Sequence, residues 1–466
     1  MLESIKRNIA ANTVLMNDTL YQHVQSLQNR LAYTEKLIFE SGAEKKDSLL
    51  KVYIKQRKIL SDELLLSGNE LIRSNSSFKK IIDKEDSISF AAVQNSLPGN
   101  QAALIEFFAG DSTNYIFYIT KNTEPLFIKT DSSNTDDINH FLQFFTDKNK
   151  INNEPGAYQA AAYRLYQLTA FPAFDNVAVK KLIIIPDGQL NFVPFDALVT
   201  GIKADQNPQH FSYLLHQKQI SYGYSVATLL KQSGYQSTAS SAGLALFAPV
   251  FAGKERGKMP LLHTIEETDA IKKENSSGKF YLKEQATISQ FKNAVAGAGI
   301  IHIASHASAD TSGGRQPMIE FYDSSLYLNE IYTMHINPRL VVLSACETGI
   351  GVLDKSEGAM SLARGFYYAG AQNIVTSLWS VDDKSTAGVF TNFYQHTNSN
   401  DYSLALHEAK LAYLNNASES YASPYYWAGF IHIGNQKLPE KSNRNIWIIA
   451  ILSAAILTLF FLRKKK

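Results

Sequence analysis

The sequence lacks several features that would assign it to a class at once. It has a single cysteine, Cys346, among 466 residues, so no internal disulfide can form and the redox compartment is not indicated. It also lacks a charge excess, with 45 basic and 43 acidic residues and a formal net charge of +2. No block is basic enough to indicate a nucleic-acid surface, so nucleic acid is not an expected partner. The length predicts two or three structural units.

Long apolar runs are few, and the clearest one lies at the C-terminus. Residues 446–462, IWIIAILSAAILTLFFL, carry no charge, and the basic tail 463–466 follows them. A bilayer is spanned by about 17 to 25 apolar residues in a helix. We therefore expect a single-pass transmembrane helix at 446–462, joined to the body of the protein by a linker at 436–445. A buried core helix is the alternative, although such a helix usually has a polar stripe.

The orientation of this expected anchor stays open. The N-terminal residues have no uninterrupted apolar stretch that would act as an export signal, which favours a tail anchor with the body in the cytoplasm. The basic tail 463–466 instead favours the cytoplasmic side for the C-terminus, which would require an upstream export segment. The sequence thus predicts a membrane location without the side of the membrane.

The rest of the chain divides into a helical and a mixed region. Residues 1–83 have apolar positions spaced by three, four and seven, which predicts helical hairpins; an isolated coiled coil is the alternative, and the end of a helical repeat array has the same pattern. Over 84–435, β-rich runs alternate with helical stretches, including 356–368, 384–396 and 403–414. Several runs are apolar throughout, so the pattern predicts an α/β sheet covered by helices on both faces.

Two of the apolar runs end in residues with reactive side chains. GIIHIASHA leads to His306, and VVLSACETG contains Cys346. Parallel neighbouring strands would bring both residues to one edge of the sheet, where an imidazole can take the proton of a thiol that attacks a carbonyl. The backbone N–H groups of Cys346 and of Ala307 are the candidate oxyanion donors. Taken singly, a cysteine here is also typical of a small buried side chain, and a histidine of a satisfied structural group.

A phosphate-binding loop is the other motif that the sequence suggests, and its details fail. Ala252, Gly257 and Lys258 match its outline, but Met259 and Pro260 stand where a Ser or Thr and the start of a helix are needed. Nucleotide binding is therefore not expected there. The sequence predicts no cofactor and no metal.

Several longer motifs occur together, in a fixed order, between residues 84 and 435. They are LIIIPDGQLNFVPFDAL, HIASHA, VVLSACETGIG, EGAMSLARGFYYAGAQNIVTSLWSVDD, STAGVFTNFY and YYWAGFIHIG. This set closely resembles the CHAT domain family, whose members are caspase-like cysteine peptidase domains related to separase and often attached to tetratricopeptide repeats.

The resemblance implies a caspase-like α/β sandwich with an inactive first half, which contains LIIIPDGQLNFVPFDAL, and an active second half. It implies that His306 is the catalytic histidine and Cys346 the nucleophile. Many relatives have His-Gly where this chain has His306-Ala307. Alanine still supplies a backbone N–H but adopts fewer backbone conformations than glycine.

The segment LWSVDD resembles the part of separase that supplies an acidic residue to the pocket for the first substrate side chain. Asp382 or Asp383 would then bind an Arg or Lys side chain through a charge-assisted hydrogen bond. Capping of the following helix, by Asp383, is an equally good interpretation.

Together these features predict a membrane-anchored cysteine endopeptidase that cleaves protein substrates with a Cys-His dyad. The helical region 1–83 is expected to receive an activating protein partner. The alternative, from another class, is a catalytically silent CHAT scaffold that mediates protein–protein interaction.

Overall fold

A computed structural model provides the structure of the chain. It describes most of the chain, with gaps, over residues 18–43, 47–74, 88–110, 113–131, 135–169, 171–174, 178–233, 243–261, 263–309, 316–344, 352–354, 358–380, 382–397 and 400–434. The predicted nucleophile, Cys346, and the predicted linker, transmembrane helix and basic tail lie outside these described residues.

An 11-stranded mixed sheet forms the centre of the fold, in the order β3-β2-β1-β4-β5-β16-β15-β12-β8-β6-β7. Its central strands are rich in Val, Ile and Leu, and β8 and β12 are buried along their whole length, as the apolar runs predict. The strands of this sheet are β1 (Ala102–Ala109), β2 (Thr113–Thr120), β3 (Leu126–Asp131), β4 (Lys181–Ile185), β5 (Gln219–Tyr222), β6 (Leu244–Ala248), β7 (Lys279–Leu282), β8 (Ile300–Ala304), β12 (Leu340–Ser344), β15 (Asn373–Ser377) and β16 (Phe430–Gly434).

Two smaller sheets accompany the main one. The first has three strands, β9 (Ala307–Ser308), β10 (Met318–Glu320) and β11 (Ser325–Tyr327), and it continues directly from β8. The second pairs β13 (Val352–Asp354) with β14 (Gly358–Met360).

The main sheet consists of two halves whose strands run in opposite directions. In the first half, β1, β4 and β5 are parallel to each other. In the second half, β15, β12, β8, β6 and β7 are parallel to each other. The last strand, β16, joins the halves because it runs parallel to β5 and antiparallel to β15. The carboxyl ends of the two sets of parallel strands therefore lie at opposite edges of one sheet.

Thirteen α-helices are present in the described ranges, and those of the α/β region pack on the sheet. They are α1 (Thr19–Ala43), α2 (Asp47–Ser74), α3 (Phe90–Ser96), α4 (Thr135–Leu142), α5 (Lys150–Asn153), α6 (Pro155–Leu168), α7 (Val226–Ser233), α8 (His263–Glu274), α9 (Ile288–Val295), α10 (Leu328–Thr333), α11 (Leu362–Ala369), α12 (Asp383–His396) and α13 (Tyr402–Asn416). Helices α1 and α2 form the hairpin that their apolar spacing predicts, and α1 packs on α10.

The α/β architecture and the last two predicted helices are confirmed, and one predicted helix begins later than expected. The helix predicted from residue 356 begins at Leu362, because β14 occupies Gly358–Met360 and the side chain of Ser361 caps the helix by accepting from the backbone N–H of Arg364 at 3.2 Å. A strand directly before the helix has the same apolar content as a helical turn, so the composition alone does not separate them.

The predicted C-terminal transmembrane helix and single-pass membrane location are corrected by the structure. No helix among the residues described is both long and apolar enough to cross a membrane. Helices α1 and α2, with 25 and 28 residues, have sufficient length, but both carry charged side chains along their course, and these would have to enter the bilayer core. Residues 446–462, on which the prediction was made, lie outside the described part of the chain.

Candidate active site

The predicted histidine and cysteine follow two strands that are direct neighbours. Strands β8 and β12 pair in parallel, with Ala304 opposite Ser344. His306 lies two residues beyond Ala304, and Cys346 follows Ser344 by the same interval in the sequence. Because paired parallel strands end at the same edge of a sheet, the strands that precede the two residues end side by side at that edge. The position of Cys346 itself lies beyond what the structure describes.

The imidazole of His306 is half-buried and oriented by a backbone carbonyl. Its Nε2 lies 2.6 Å from the carbonyl oxygen of Met259, and its ring centroid is 5.5 Å from that of Phe251. A carbonyl oxygen only accepts hydrogen bonds, so Nε2 carries the proton in this contact. Nδ1 is then the nitrogen that can accept a proton from a thiol.

The backbone N–H of Ala307 points away from strand β10. Ala307 faces Ile319 across the β9–β10 pair, and the N–H of Glu320 donates to the carbonyl of His306 at 2.9 Å. A bond at that position makes Ala307 and Ile319 a non-hydrogen-bonded pair, whose N–H groups face away from the partner strand. The N–H of Ala307 therefore does not take part in the β9–β10 pairing.

The carbonyl that orients His306 belongs to a loop after β6, residues 249–260, which we call the strap. Four of its residues other than glycine have a positive φ: Val250 (62°), Phe251 (53°), Lys254 (59°) and Arg256 (53°). Each such residue costs about 1–2 kcal/mol, and a β-branched residue such as valine rarely adopts this conformation. This conformation persists only where surrounding contacts enforce it.

A buried carboxylate, that of Glu320 in β10, supplies those contacts. Its Oε2 lies 2.7 Å from the guanidinium of Arg256 and its Oε1 2.5 Å from Nζ of Lys258. The hydroxyl of Ser325 donates to Oε2 at 2.7 Å. Burial favours a raised pKa for Glu320, but the hydrogen bonds from Lys258 and Ser325 and the charge of Arg256 outweigh it, so the pKa is lowered. Glu320 is therefore an anion held between the two cations of the strap.

A second buried polar group lies beneath the strand that leads to the cysteine. Glu267 of α8 contacts Nε2 of His302 at 3.1 Å without hydrogen-bond alignment, and it accepts a hydrogen bond from the Ser344 hydroxyl at 3.1 Å. Nδ1 of His302 lies 3.0 Å from the hydroxyl of Tyr394. Burial, followed by the charge of Glu267, raises the pKa of Tyr394 well above its ordinary value. The tyrosine is therefore neutral in this group.

The two candidate pocket aspartates lie at the start of α12, after β15. Asp382 is the N-cap of the helix, and its side chain accepts from the backbone N–H of Ser385 at 3.0 Å. Asp383 lies in the first turn and accepts from the backbone N–H of His263 at 3.1 Å. Burial raises the pKa of Asp383, with a further contribution from the charge of Glu267. The capping function thus belongs to Asp382, whereas Asp383 touches the segment that follows the strap.

The residues that the sequence analysis missed are those that support the histidine. Met259 and Lys258 were considered only in a failed phosphate-binding motif, and Glu320 and Glu267 drew no attention. Their functional contacts are long-range in the sequence, and Met259 contributes through its carbonyl rather than its side chain. The one available signal was a charged residue, Glu320, within an otherwise apolar β-rich run.

Within the described ranges, no group of three or more histidine, cysteine, aspartate or glutamate side chains is arranged to hold a metal ion. The fold and this edge define an α/β protein in which a histidine and a cysteine follow adjacent parallel strands of a buried sheet. The sequence model of the CHAT domain matches residues 159–435, which is more than half of the 466-residue chain. The chain belongs to the CHAT domain family.

Solved structures of similar fold come from two groups of proteins. The separase chain of a separase–securin complex from Saccharomyces cerevisiae shares 10% identity, with a TM-score of 0.49 over 83% of this chain and 34% of that chain. Gingipain R, an Arg-specific cysteine proteinase, shares 13% identity with a TM-score of 0.39 over 60% of this chain and 67% of that chain. A complex of the RgpB pro- and mature domains from Porphyromonas gingivalis shares 12% identity with a TM-score of 0.38, over 60% of this chain and 68% of that chain.

The chain spans about a third of the length of the separase chains that it matches. No protein among the curated sequences matches it. At these identities and TM-scores, the substrates and partners of the separase and gingipain structures are not transferred to this chain.

Proposed function

We propose that the chain is a cysteine endopeptidase in which Cys346 is the nucleophile and His306 the general base. The observation that carries this proposal is the parallel pairing of β8 with β12, with Ala304 opposite Ser344, each two residues before a proposed catalytic residue. Membership of the CHAT domain family supports the same assignment.

The proposed reaction begins with proton transfer from the Cys346 thiol to Nδ1 of His306, while Nε2 stays bonded to the carbonyl of Met259. The thiolate attacks the carbonyl carbon of the scissile peptide bond, and the resulting oxyanion accepts hydrogen bonds from the N–H groups of Ala307 and Cys346. The imidazolium returns its proton to the leaving amine. Water then hydrolyses the thioester, which releases the acid product and the free thiol.

The substrate class follows from the charge at the start of α12. Asp383 lies at the edge where β15 ends, the same edge as the ends of β8 and β12, and Asp382 caps the helix beside it. We propose that Asp383 is the better candidate for the first-residue pocket, because Asp382 caps its own helix, whereas Asp383 bonds the backbone N–H of His263 beside the strap. Such a pocket prefers Arg or Lys before the scissile bond and rejects an acidic side chain.

The helical hairpin is the proposed regulatory region. Nζ of Lys36 in α1 donates to the backbone carbonyl of Ser325 at 3.2 Å and to the hydroxyl of Ser324 at 3.3 Å, and it lies 3.6 Å from the carboxylate of Glu330. Ser325 is also bonded to Glu320. Hydrogen bonds thus connect Lys36 through Ser325 and Glu320 to the backbone of His306. A protein partner that repositions α1 would therefore act on residues that contact the histidine.

A peptide library digested by the wild-type protein and by Cys346→Ala tests the function and its specificity. We expect cleavage after Arg or Lys by the wild type alone, and Asp383→Asn is expected to reduce the preference for basic residues over neutral ones by about tenfold. Acidic preference would reject the pocket assignment. Equal products from the wild type and Cys346→Ala would reject the cysteine mechanism, and an absence of cleavage by both would favour the scaffold.

A further inference from the structure

Glu320 contacts the histidine region in two ways at once, through its backbone and through its side chain. Its backbone N–H donates to the carbonyl of His306 at 2.9 Å, and its backbone carbonyl accepts from the hydroxyl of Ser305. Its carboxylate binds Arg256 and Lys258 on the strap. One residue thus connects the main chain of the histidine with the loop that orients the imidazole.

Several hydrogen bonds and ion pairs hold the strap in a single conformation. Besides Glu320, Arg256 donates to the carbonyl of Phe321 at 2.8 Å and to the hydroxyl of Ser325 at 2.9 Å. At the base of the strap, the N–H of Leu261 donates to the carbonyl of Val250 at 2.8 Å. Among the described contacts, Glu320 is the buried anion that neutralises Arg256 and Lys258 of the strap. Loss of the Glu320 charge would therefore leave Arg256 and Lys258 without their counter-ion.

The strap acts on the imidazole through Met259. The side chain of Met259 is 70% exposed, so apolar burial does not hold this residue in place. Its carbonyl nevertheless bonds Nε2 of His306 at 2.6 Å. The position of that carbonyl is set instead by Lys258, the preceding residue, whose Nζ binds Glu320.

We propose that Glu320 is a positioning residue for His306, which fixes the imidazole in the Nε2–H form by clamping the strap through Arg256 and Lys258. It touches neither the thiol nor the substrate in this scheme. This inference rests on the proposed function, because the orientation of His306 matters for chemistry only if His306 activates Cys346.

The test compares Glu320→Gln, which keeps the shape of the side chain and removes its charge, with a matched control. Asp196→Asn is that control, since Asp196 is also a buried carboxylate paired with a lysine, Lys410, but lies in a short 3-10 helix after β4, in the first half of the fold. The readouts are kcat and KM for a library-selected peptide, the pH dependence of Cys346 alkylation by iodoacetamide, and the histidine ring signals in a ¹⁵N spectrum.

For Glu320→Gln we expect kcat to fall by about 10²-fold with KM nearly unchanged, as for a misplaced catalytic group. We also expect an alkylation profile shifted towards that of His306→Ala, and loss of the single Nε2–H signal of His306. Asp196→Asn should keep the wild-type values per folded molecule. Lys258→Met, which removes one strap cation from a partly exposed position, should change the same readouts in the same direction by a smaller amount. This variant tests the proposal if Glu320→Gln does not fold.

The experiment distinguishes failure of the positioning proposal from failure of the peptidase proposal. Wild-type kcat, alkylation profile and ring signal in both Glu320→Gln and Lys258→Met, with a changed His306→Ala, would overturn the positioning function while leaving the peptidase proposal intact. Identical alkylation profiles in the wild type and His306→Ala would instead overturn the peptidase proposal. The ring signal of His306 would then still decide whether Glu320 orients the imidazole.

Discussion

The two halves of the sheet are built alike and end differently. In the first half, β4 ends in a turn where Asp187 accepts from the backbone N–H groups of Ala109 and Gly188, each at 2.8 Å. In the second half, β8 is followed two residues later by His306, whose ring is held by the strap. The first turn satisfies its own backbone, whereas the second strand is followed by an imidazole that a separate loop orients through Nε2.

The two halves thus share the packing of a buried sheet and differ in the residues that follow their strands. Both halves have buried parallel strands and aromatic side chains packed beside them, such as Phe195 in the first and Phe291 in the second. Because the halves run in opposite directions, the Asp187 turn and His306 lie at opposite edges. The fold therefore has two sets of parallel strand ends at opposite edges, and the proposed general base, His306, follows a strand of the second set.

The largest expected effect comes from matched substitutions at these two strand ends. His306→Ala should lower peptide cleavage at least about 10³-fold, because it removes the proposed general base. Asp187→Asn should leave cleavage per folded molecule unchanged and lower stability by about 1 kcal/mol through weaker hydrogen bonds. Comparable kcat losses in both variants would break the distinction between the halves.

The next effect concerns a buried ion pair on the first-half side of the sheet. Lys410 of α13 pairs with Asp196 in the first half, and both residues are buried, with exposures of 1% and 4%. Asp196→Ala should lower the free energy of unfolding by about 3–5 kcal/mol, since it leaves a buried ammonium without a partner. In urea denaturation, the double variant with Lys410→Met should recover most of that loss. A double variant as unstable as Asp196→Ala would contradict this explanation.

A smaller effect is expected from pH at the strand between the halves. Burial lowers the pKa of His432 in β16 to about 4 from the ordinary 6.5, and the charge of Asp401 opposes this only in part. The folded state thus holds the neutral ring where the unfolded chain binds a proton. Stability from this residue is complete above pH 6.5 and is lost as the pH falls towards 4, by about 3 kcal/mol.

Urea denaturation of His432→Gln at a series of pH values measures that contribution, because glutamine keeps an N–H donor for the Oδ1 of Asn373 but does not titrate. The variant should lose less stability than the wild type between pH 6.5 and 4. His210→Gln, at an exposed histidine paired with Asp205, is the control and should not have this effect. Parallel curves for the wild type and His432→Gln would contradict the prediction.

Sequence patterns predicted the fold far better than the supports of the site. Runs such as LVVLS are apolar throughout, which identified the buried strands and the edge where His306 lies. The pattern does not report contacts between distant segments, so the clamp formed by Glu320 and the strap was not visible. Short strands were also not predicted. Strand β5 (Gln219–Tyr222) has four residues that alternate in composition, although all four are buried.

The C-terminal membrane helix is where sequence reasoning went furthest from the structure. That prediction was based on the uncharged apolar run 446–462 and the basic tail 463–466, whereas no helix in the described part of the chain is long and apolar enough to cross a membrane. For the aspartates of LWSVDD, helix capping by Asp383 was one of the two interpretations of the sequence. In the structure a helix cap is present, but the capping residue is Asp382, one position earlier.

The most direct test of the account is the rate at which iodoacetamide alkylates the one cysteine of the chain as a function of pH. With a single thiol, the reaction reports Cys346 alone, and no substrate is required. If His306 activates the thiol, the wild type should react as a thiolate well below pH ~8.5, whereas His306→Ala should follow an ordinary cysteine with a pKa of about 8.5. Superimposable curves for the two proteins would contradict the proposed dyad.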